Sequence, residues 1–140
     1  MNAPDGRPRL LVLASTFPAH HDDGTPAFVA DLAVAQSAAF ETVVVTPRVP
    51  ESRARESWAG VDVRRYRFFP RRWEDLAAGA ILENLRSRPS RWLQVPFLFL
   101  AGALAVRRAV REIAPDVVHV HWIIPQGVMD CSARDGRPGW

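Results

Sequence analysis

The sequence predicts an α/β fold, a doubly wound parallel sheet whose last part is missing. Three observations predict it. Two short apolar runs, Leu10–Ala14 and Thr42–Val45, show no alternation of polar and apolar residues, as expected of strands covered on both faces. A segment of helical spacing lies between them, giving one strand-helix-strand unit. A third buried-type run, Asp116–His121, follows a long helical stretch that Pro115 stops.

Taken in order, Arg9–Ser15 reads as the first strand. Thr16–Gly24 is a loop, with Pro18, Gly24 and two histidines beside two aspartates. Thr25-Pro26 offers an N-cap followed by proline at the first helical position. In the helix that follows, Phe28, Leu32, Ala35 and Ala39 fall on one face and are expected to pack on the sheet. Glu41–Thr46 is dense in β-branched residues and stopped by Pro47, a second buried strand. The polar Arg48–Gly60 segment reads as a loop, and Val61–Phe68, which carries charge, as an edge strand.

Trp73–Arg88 has a helical pattern interrupted by Gly79 and closed by Pro89. A longer helix runs from about Arg91 to Ile113, with Pro96 in its first turns or kinking it. The last residues, Met129–Trp140, lack apolar periodicity. The expected organisation is therefore a disordered start over 1–8, one partial domain over 9–128 and an irregular tail over 129–140. An unfinished sheet of this kind leaves an unpaired edge.

The 140 residues suit one domain. With 48% hydrophobic and 24% charged residues, the balance is that of a globular protein rather than a disordered chain. All 18 basic residues are arginine, a usage consistent with a GC-rich bacterial genome, and the net charge is only +3, which argues against a nucleic-acid partner. The single cysteine, Cys131, cannot form an internal disulfide. The start Met-Asn-Ala-Pro-Asp-Gly lacks the basic-then-apolar order of a secretory signal, so the cytoplasm is the expected compartment.

The apolar run Trp92–Val106 includes Gln94 and Pro96 and is shorter than the roughly 18 to 20 residues of a membrane span. It reads as a buried helix or, with Trp92 and the flanking Arg91, Arg107 and Arg108, as a segment resting on the inner face of the membrane. The arginine-aromatic segment Arg64–Arg72 is likewise either a solvated strand edge or a second contact with lipid headgroups.

Chemistry in an open α/β sheet sits at the carboxyl ends of its strands, here after Ser15, Thr46 and His121. The loop after the first strand is not G-x-G-x-x-G, and G-x-x-x-x-G-K-[ST] is absent, which disfavours a dinucleotide site and a P-loop. Gly24, just before a helix N-terminus, either makes the turn or leaves room for a phosphate. His119 and His121 share one face of their strand and Val118 and Val120 the other. His121 ends the strand and is the better candidate for proton exchange in a cleft. Neither this pair nor His20, His21, Asp22 and Asp23 has a recognised metal-ligand spacing, and no metal or tightly held cofactor is expected. A receiver-like signalling domain would need an acidic cluster at the strand ends, and none is found.

Four segments, Leu11–Ala19, Asp23–Ala33, Glu41–Pro47 and Pro115–Gly127, together resemble the N-terminal domain of glycosyltransferase family 4. The resemblance runs from about Arg9 to Val128. It implies a Rossmann-like domain on the acceptor side of a two-domain GT-B enzyme that transfers a sugar from a nucleotide-sugar donor with retention of configuration. Cell-surface polysaccharide or glycolipid synthesis is that family's usual setting. It further implies His121 as the catalytic cleft residue and Gly24, Thr25, Trp122 and Gln126 as substrate-binding residues. Thr25 stands where a second glycine is common in the family, and Ala39-Phe40 replaces its glycine-histidine turn. The donor-binding half is not encoded in the sequence, so the chain is expected to be truncated and inactive alone. The alternative is a small α/β module that docks on a membrane or partner without catalysis.

Overall fold

A computed structural model describes residues 6–20, 22, 27–68, 70 and 86–121. It is an α/β structure in which, among the described residues, two helices cover a five-stranded, mostly parallel sheet. The elements are β1 (Arg9–Leu13), α1 (Phe28–Gln36), β2 (Glu41–Pro47), β3 (Arg55–Trp58), β4 (Val61–Tyr66), a 3-10 turn over Pro89–Leu93 that leads into α2 (Gln94–Ile113), and β5 (Val117–Val120). The strand order is β3-β4-β2-β1-β5, compatible with a Rossmann-like sheet.

β1 lies between β2 and β5, parallel to β2 with Leu11 opposite Val43, and parallel to β5 with Leu11 opposite Val118. Its side chains divide the core in two. Leu11 and Leu13 join Val43 and Val45 beneath Leu98, Val106, Ala109 and Val110 of α2. Leu10, Val12 and Ala14 join Val44, Val61 and Val63 beneath Val29, Ala30 and Ala33 of α1. One helix per face is the doubly wound arrangement the unbroken apolar strands predict.

Several expectations are corrected. β1 ends at Leu13 rather than Ser15, although the Ala14 N–H still reaches the Val45 carbonyl at 3.2 Å. On α1 the inward residues are Val29, Ala30 and Ala33, while Phe28 and Leu32 are exposed. Small alanines let the helix lie close to the sheet, and that steric fit outweighs the larger apolar pair. The Thr25-Pro26 cap lies outside the described residues, and the first helical residue is Phe28, preceded by Ala27 without a side-chain cap.

The Arg48–Gly60 segment is not all loop, because β3 forms there and pairs antiparallel with β4, Trp58 opposite Val61. Ala59 and Gly60 both have positive φ, 47° and 88°, the two-residue hairpin turn whose twist matches the flanking strands. β4 is consequently an interior strand, ending at Tyr66 rather than Phe68, with β3 on one side and β2 on the other. Its charged residues are accommodated by ion pairs, with Asp62 between Arg55 and Arg64 at 2.9 and 3.1 Å. The edge strand on this side is β3.

Residues 73–85 of the predicted Trp73–Arg88 helix, and the 129–140 tail, lie outside the described residues. Pro96 sits in the first turn of α2, where its missing N–H has no helical partner to lose. The helical stretch is longer than the apolar run Trp92–Val106. Pro89–Ile113 contains an 18-residue window of mean hydropathy 1.4, long and apolar enough to cross a membrane, yet its inward residues build the core beneath α2. Ala114, at φ 47° and ψ 64°, ends the helix with its N–H on the Val110 carbonyl at 3.0 Å, and Pro115 follows. Asp116 then returns the chain to β1, its carboxylate accepting from the Arg9 N–H at 2.8 Å. Among the described residues β5 pairs with β1 alone, so its outer edge is open.

Candidate functional site

The strand order places a switch point between β1 and β5. From β1 the chain moves through α1 to β2 on one side, and from β4 it returns through α2 to β5 on the other. Connections that leave in opposite directions open a crevice beyond the carboxyl ends of the two strands. His121 lies there, its N–H donating to the Leu13 carbonyl at 2.8 Å and prolonging the β1-β5 ladder by one residue.

The alternation read from the sequence holds. Val118 and Val120 pack on the α2 side, and His119 and His121 stand on the other, their ring centroids 4.3 Å apart and tilted by 35°. His119 is anchored by the last residue of α1, the Gln36 amide Nε2 donating to its Nδ1 at 3.1 Å. His119 therefore has a structural partner.

His121 differs. Its Nε2 is buried and has no hydrogen-bond partner, and Phe28 of α1 meets its ring edge-on with centroids 6.1 Å apart. Burial, and then the nearby His119, lower its pKa below the usual histidine value. It is thus a neutral imidazole at pH 7, able to donate to or accept from a hydroxyl. A buried polar nitrogen without a partner is destabilising on its own.

The loop after β1 begins at the same carboxyl end of the sheet. Ser15 and Phe17 are buried, and the Phe17 ring packs edge-on against Trp58 with centroids 5.4 Å apart. Arg65 fixes this loop from below. Its guanidinium lies over Phe17 at 5.7 Å, donates to the Pro18 carbonyl at 2.7 Å and to the Arg53 carbonyl at 3.2 Å, and pairs with Glu56. The Arg65 side chain is fully buried.

Of the predicted site residues, His121 is at the crevice. Gly24, Thr25, Trp122 and Gln126 lie outside the described residues. Sequence reasoning missed Phe28, Gln36 and Arg65. Phe28 carried a usable signal, because the first turn of a helix after β1 overhangs the carboxyl edge of the sheet; the other two depend on contacts across 83 and 47 residues of sequence.

No group of three histidine, cysteine, aspartate or glutamate side chains gathers among the described residues. His20 faces Glu51 at 3.9 Å on the surface. A separate groove of about 370 Å³ opens between α2 and β4, lined by Arg55, Arg64, Tyr66, Leu104, Arg108 and Glu112. Its guanidiniums are matched within the fold, Arg64 and Arg108 on Glu112 at 2.8 and 2.9 Å and Arg55 on Asp62. Arg108, and then Arg64, hold the Glu112 carboxyl below its ordinary pKa. Comparison of the chain with family models, curated proteins and solved structures gave no match.

Proposed function

We propose that the chain forms the acceptor-side wall of a sugar-transfer cleft, the N-terminal, Rossmann-like part of a family 4-like, GT-B glycosyltransferase. In this reading the complete enzyme transfers a sugar from a nucleotide-sugar donor, with retention, to an acceptor in cell-surface polysaccharide or glycolipid synthesis. One observation carries the proposal: the neutral His121 imidazole stands at the switch point of the sheet with its buried Nε2 unsatisfied. Sugar hydroxyls both donate and accept, and a neutral imidazole complements either role. Gly24, Thr25, Trp122 and Gln126 join the site by resemblance to that family.

Transfer also needs charge to stabilise the departing diphosphate. The guanidinium that reaches the loop after β1, Arg65, is already engaged by Glu56, Arg53 and Pro18. The wall described therefore binds and positions, and a second wall must neutralise the leaving group. Titrating the chain with nucleotide-diphosphate sugars while following tryptophan fluorescence tests this, alongside an assay for released nucleotide. Weak saturable binding that His121→Ala abolishes, with no turnover, is expected. Turnover by the chain alone, or binding unchanged in the variant, contradicts the reading.

A second reading, a small α/β module that docks on a membrane or a partner without catalysis, is favoured by the exposed leucines of α2. A full absence of response to nucleotide sugars would select it.

A further inference from the structure

A helix on the surface of a soluble α/β sheet normally has one apolar face, turned inward, and a polar outer face. The amino-terminal two thirds of α2 depart from this. At about 100° per residue, Leu98, Gly102, Val106, Ala109 and Ile113 share the side that meets the sheet. Leu93, Leu100 and Leu104 fall within a narrow stripe on the opposite side and are 69, 62 and 59% exposed. Half-exposed Phe97 lies on the same stripe, and Trp92, 59% exposed, flanks its start. From Leu93 to Leu104 the stripe is about 17 Å long at 1.5 Å per residue.

The charges around it have one sign. From Arg86 to Arg111 the chain carries Arg86, Arg88, Arg91, Arg107, Arg108 and Arg111 and no carboxylate. Arg107 and Arg111 are exposed and continue the leucine stripe by one and two further turns. An apolar ridge ended by guanidiniums is the pattern of a helix lying in the plane of a membrane interface, its leucines among the acyl chains and its arginines at anionic headgroups.

We propose that the outer face of α2 docks the protein on an anionic membrane surface, the helix lying parallel to it. Crossing the bilayer would tear Leu98, Val106, Ala109 and Val110 away from Leu11, Leu13, Val43 and Val45, so the helix rests on the membrane and does not span it. Pairing of two copies through this face would bring arginines against arginines, and Glu112, which follows them on α2, is already bound to Arg64 and Arg108. α2 starts above the carboxyl edge of the sheet, because its last turn is tied to the start of β1, Arg9 Nη1 donating to the Ile113 carbonyl at 2.8 Å. His121 stands on the other face of the sheet, against Phe28 of α1, so docking through α2 leaves that face turned away from the lipid.

The test is co-sedimentation of the full chain with vesicles of phosphatidylcholine alone and of phosphatidylcholine mixed with phosphatidylglycerol. The anionic vesicles should bind at least about tenfold more tightly, and added salt should erode the difference. Leu100→Gln with Leu104→Gln should lose binding by about tenfold or more, and Arg107→Gln with Arg111→Gln should lose the anionic preference, both with unchanged circular dichroism. Should the leucine pair variant fail to fold, Leu93→Gln in the preceding 3-10 turn gives the same reading. Equal affinity for neutral vesicles, no binding, or variants that bind as well as the parent would overturn the proposal. So would a dimeric chain that the leucine variants convert to a monomer.

Discussion

The guanidinium of Arg65, on β4, donates to the carbonyl oxygen of Pro18 at 2.7 Å, tying the loop that follows β1 to a strand two places away in the sheet. The same group pairs with Glu56 on β3 and is fully buried. It therefore joins the crevice loop to the hairpin at the far edge. Removing one partner of a buried pair leaves the other charged and desolvated, so Arg65→Ala should lose about 3 to 5 kcal/mol of stability in urea unfolding. Arg65→Met combined with Glu56→Leu, which removes both charges, should lose less. A loss under about 1 kcal/mol for Arg65→Ala would mean that the loop is held some other way.

His121 gives a pH dependence with a definite sign. Its folded pKa lies below the unfolded value, because burial and then His119 disfavour the cation. Above about pH 6.5 the ring is neutral in both states and carries no penalty; below it the unfolded chain takes up the proton more readily, so stability falls as the pH drops. Relative to His121→Asn, the parent should lose stability between about pH 6.5 and the lower folded pKa. In a histidine NMR titration, His119→Asn should raise the His121 pKa only part of the way back, since burial is the larger cause. Full recovery would put the cause in the histidine pair instead.

Two faces of α2 should respond oppositely to truncation. Leu98 is 1% exposed beneath the helix and Leu100 is 62% exposed above it. Leu98→Ala should cost about 2 to 5 kcal/mol through the cavity it leaves, and Leu100→Ala within about 0.5 kcal/mol of zero. Similar costs at both positions would show that the outer face is covered in solution.

Ala59 and Ala114 both adopt left-handed backbone at φ 47°, one in the β3-β4 hairpin and one at the end of α2. A Cβ is unfavourable there, and glycine relieves it at some entropic cost, so Ala59→Gly and Ala114→Gly should each stabilise by about 0.5 to 1 kcal/mol. Gly60→Ala, at φ 88°, should destabilise by about 1 to 2 kcal/mol. Thermal unfolding of the three variants measures this directly, and stabilisation by Gly60→Ala would contradict the turn geometry.

Much of the frame was legible because burial on both faces leaves an unmistakable pattern. Leu10–Ala14 and Thr42–Val45 sit where continuous apolar runs put them, and Pro115 marks the end of α2. The shared face of His119 and His121 followed from strand alternation alone. β3 was missed because Arg55-Glu-Ser-Trp58 is polar, and only its pairing with β4 makes it a strand. Helical spacing alone put Phe28, Leu32, Ala35 and Ala39 on the inner face of α1, whereas Val29, Ala30 and Ala33 are buried, leaving Phe28 outside the core but against His121. Arg65 read as surface charge since its partners, Pro18, Arg53 and Glu56, come together only through the fold.

The proposed binding site is the switch-point crevice at His121. The most direct measurement is the ring carbon-proton NMR signals of the histidines during titration with a nucleotide-diphosphate hexose. A saturable shift at His121, a smaller one at His119 and none at His20 is expected. A His121 signal that stays still while other residues respond would contradict it.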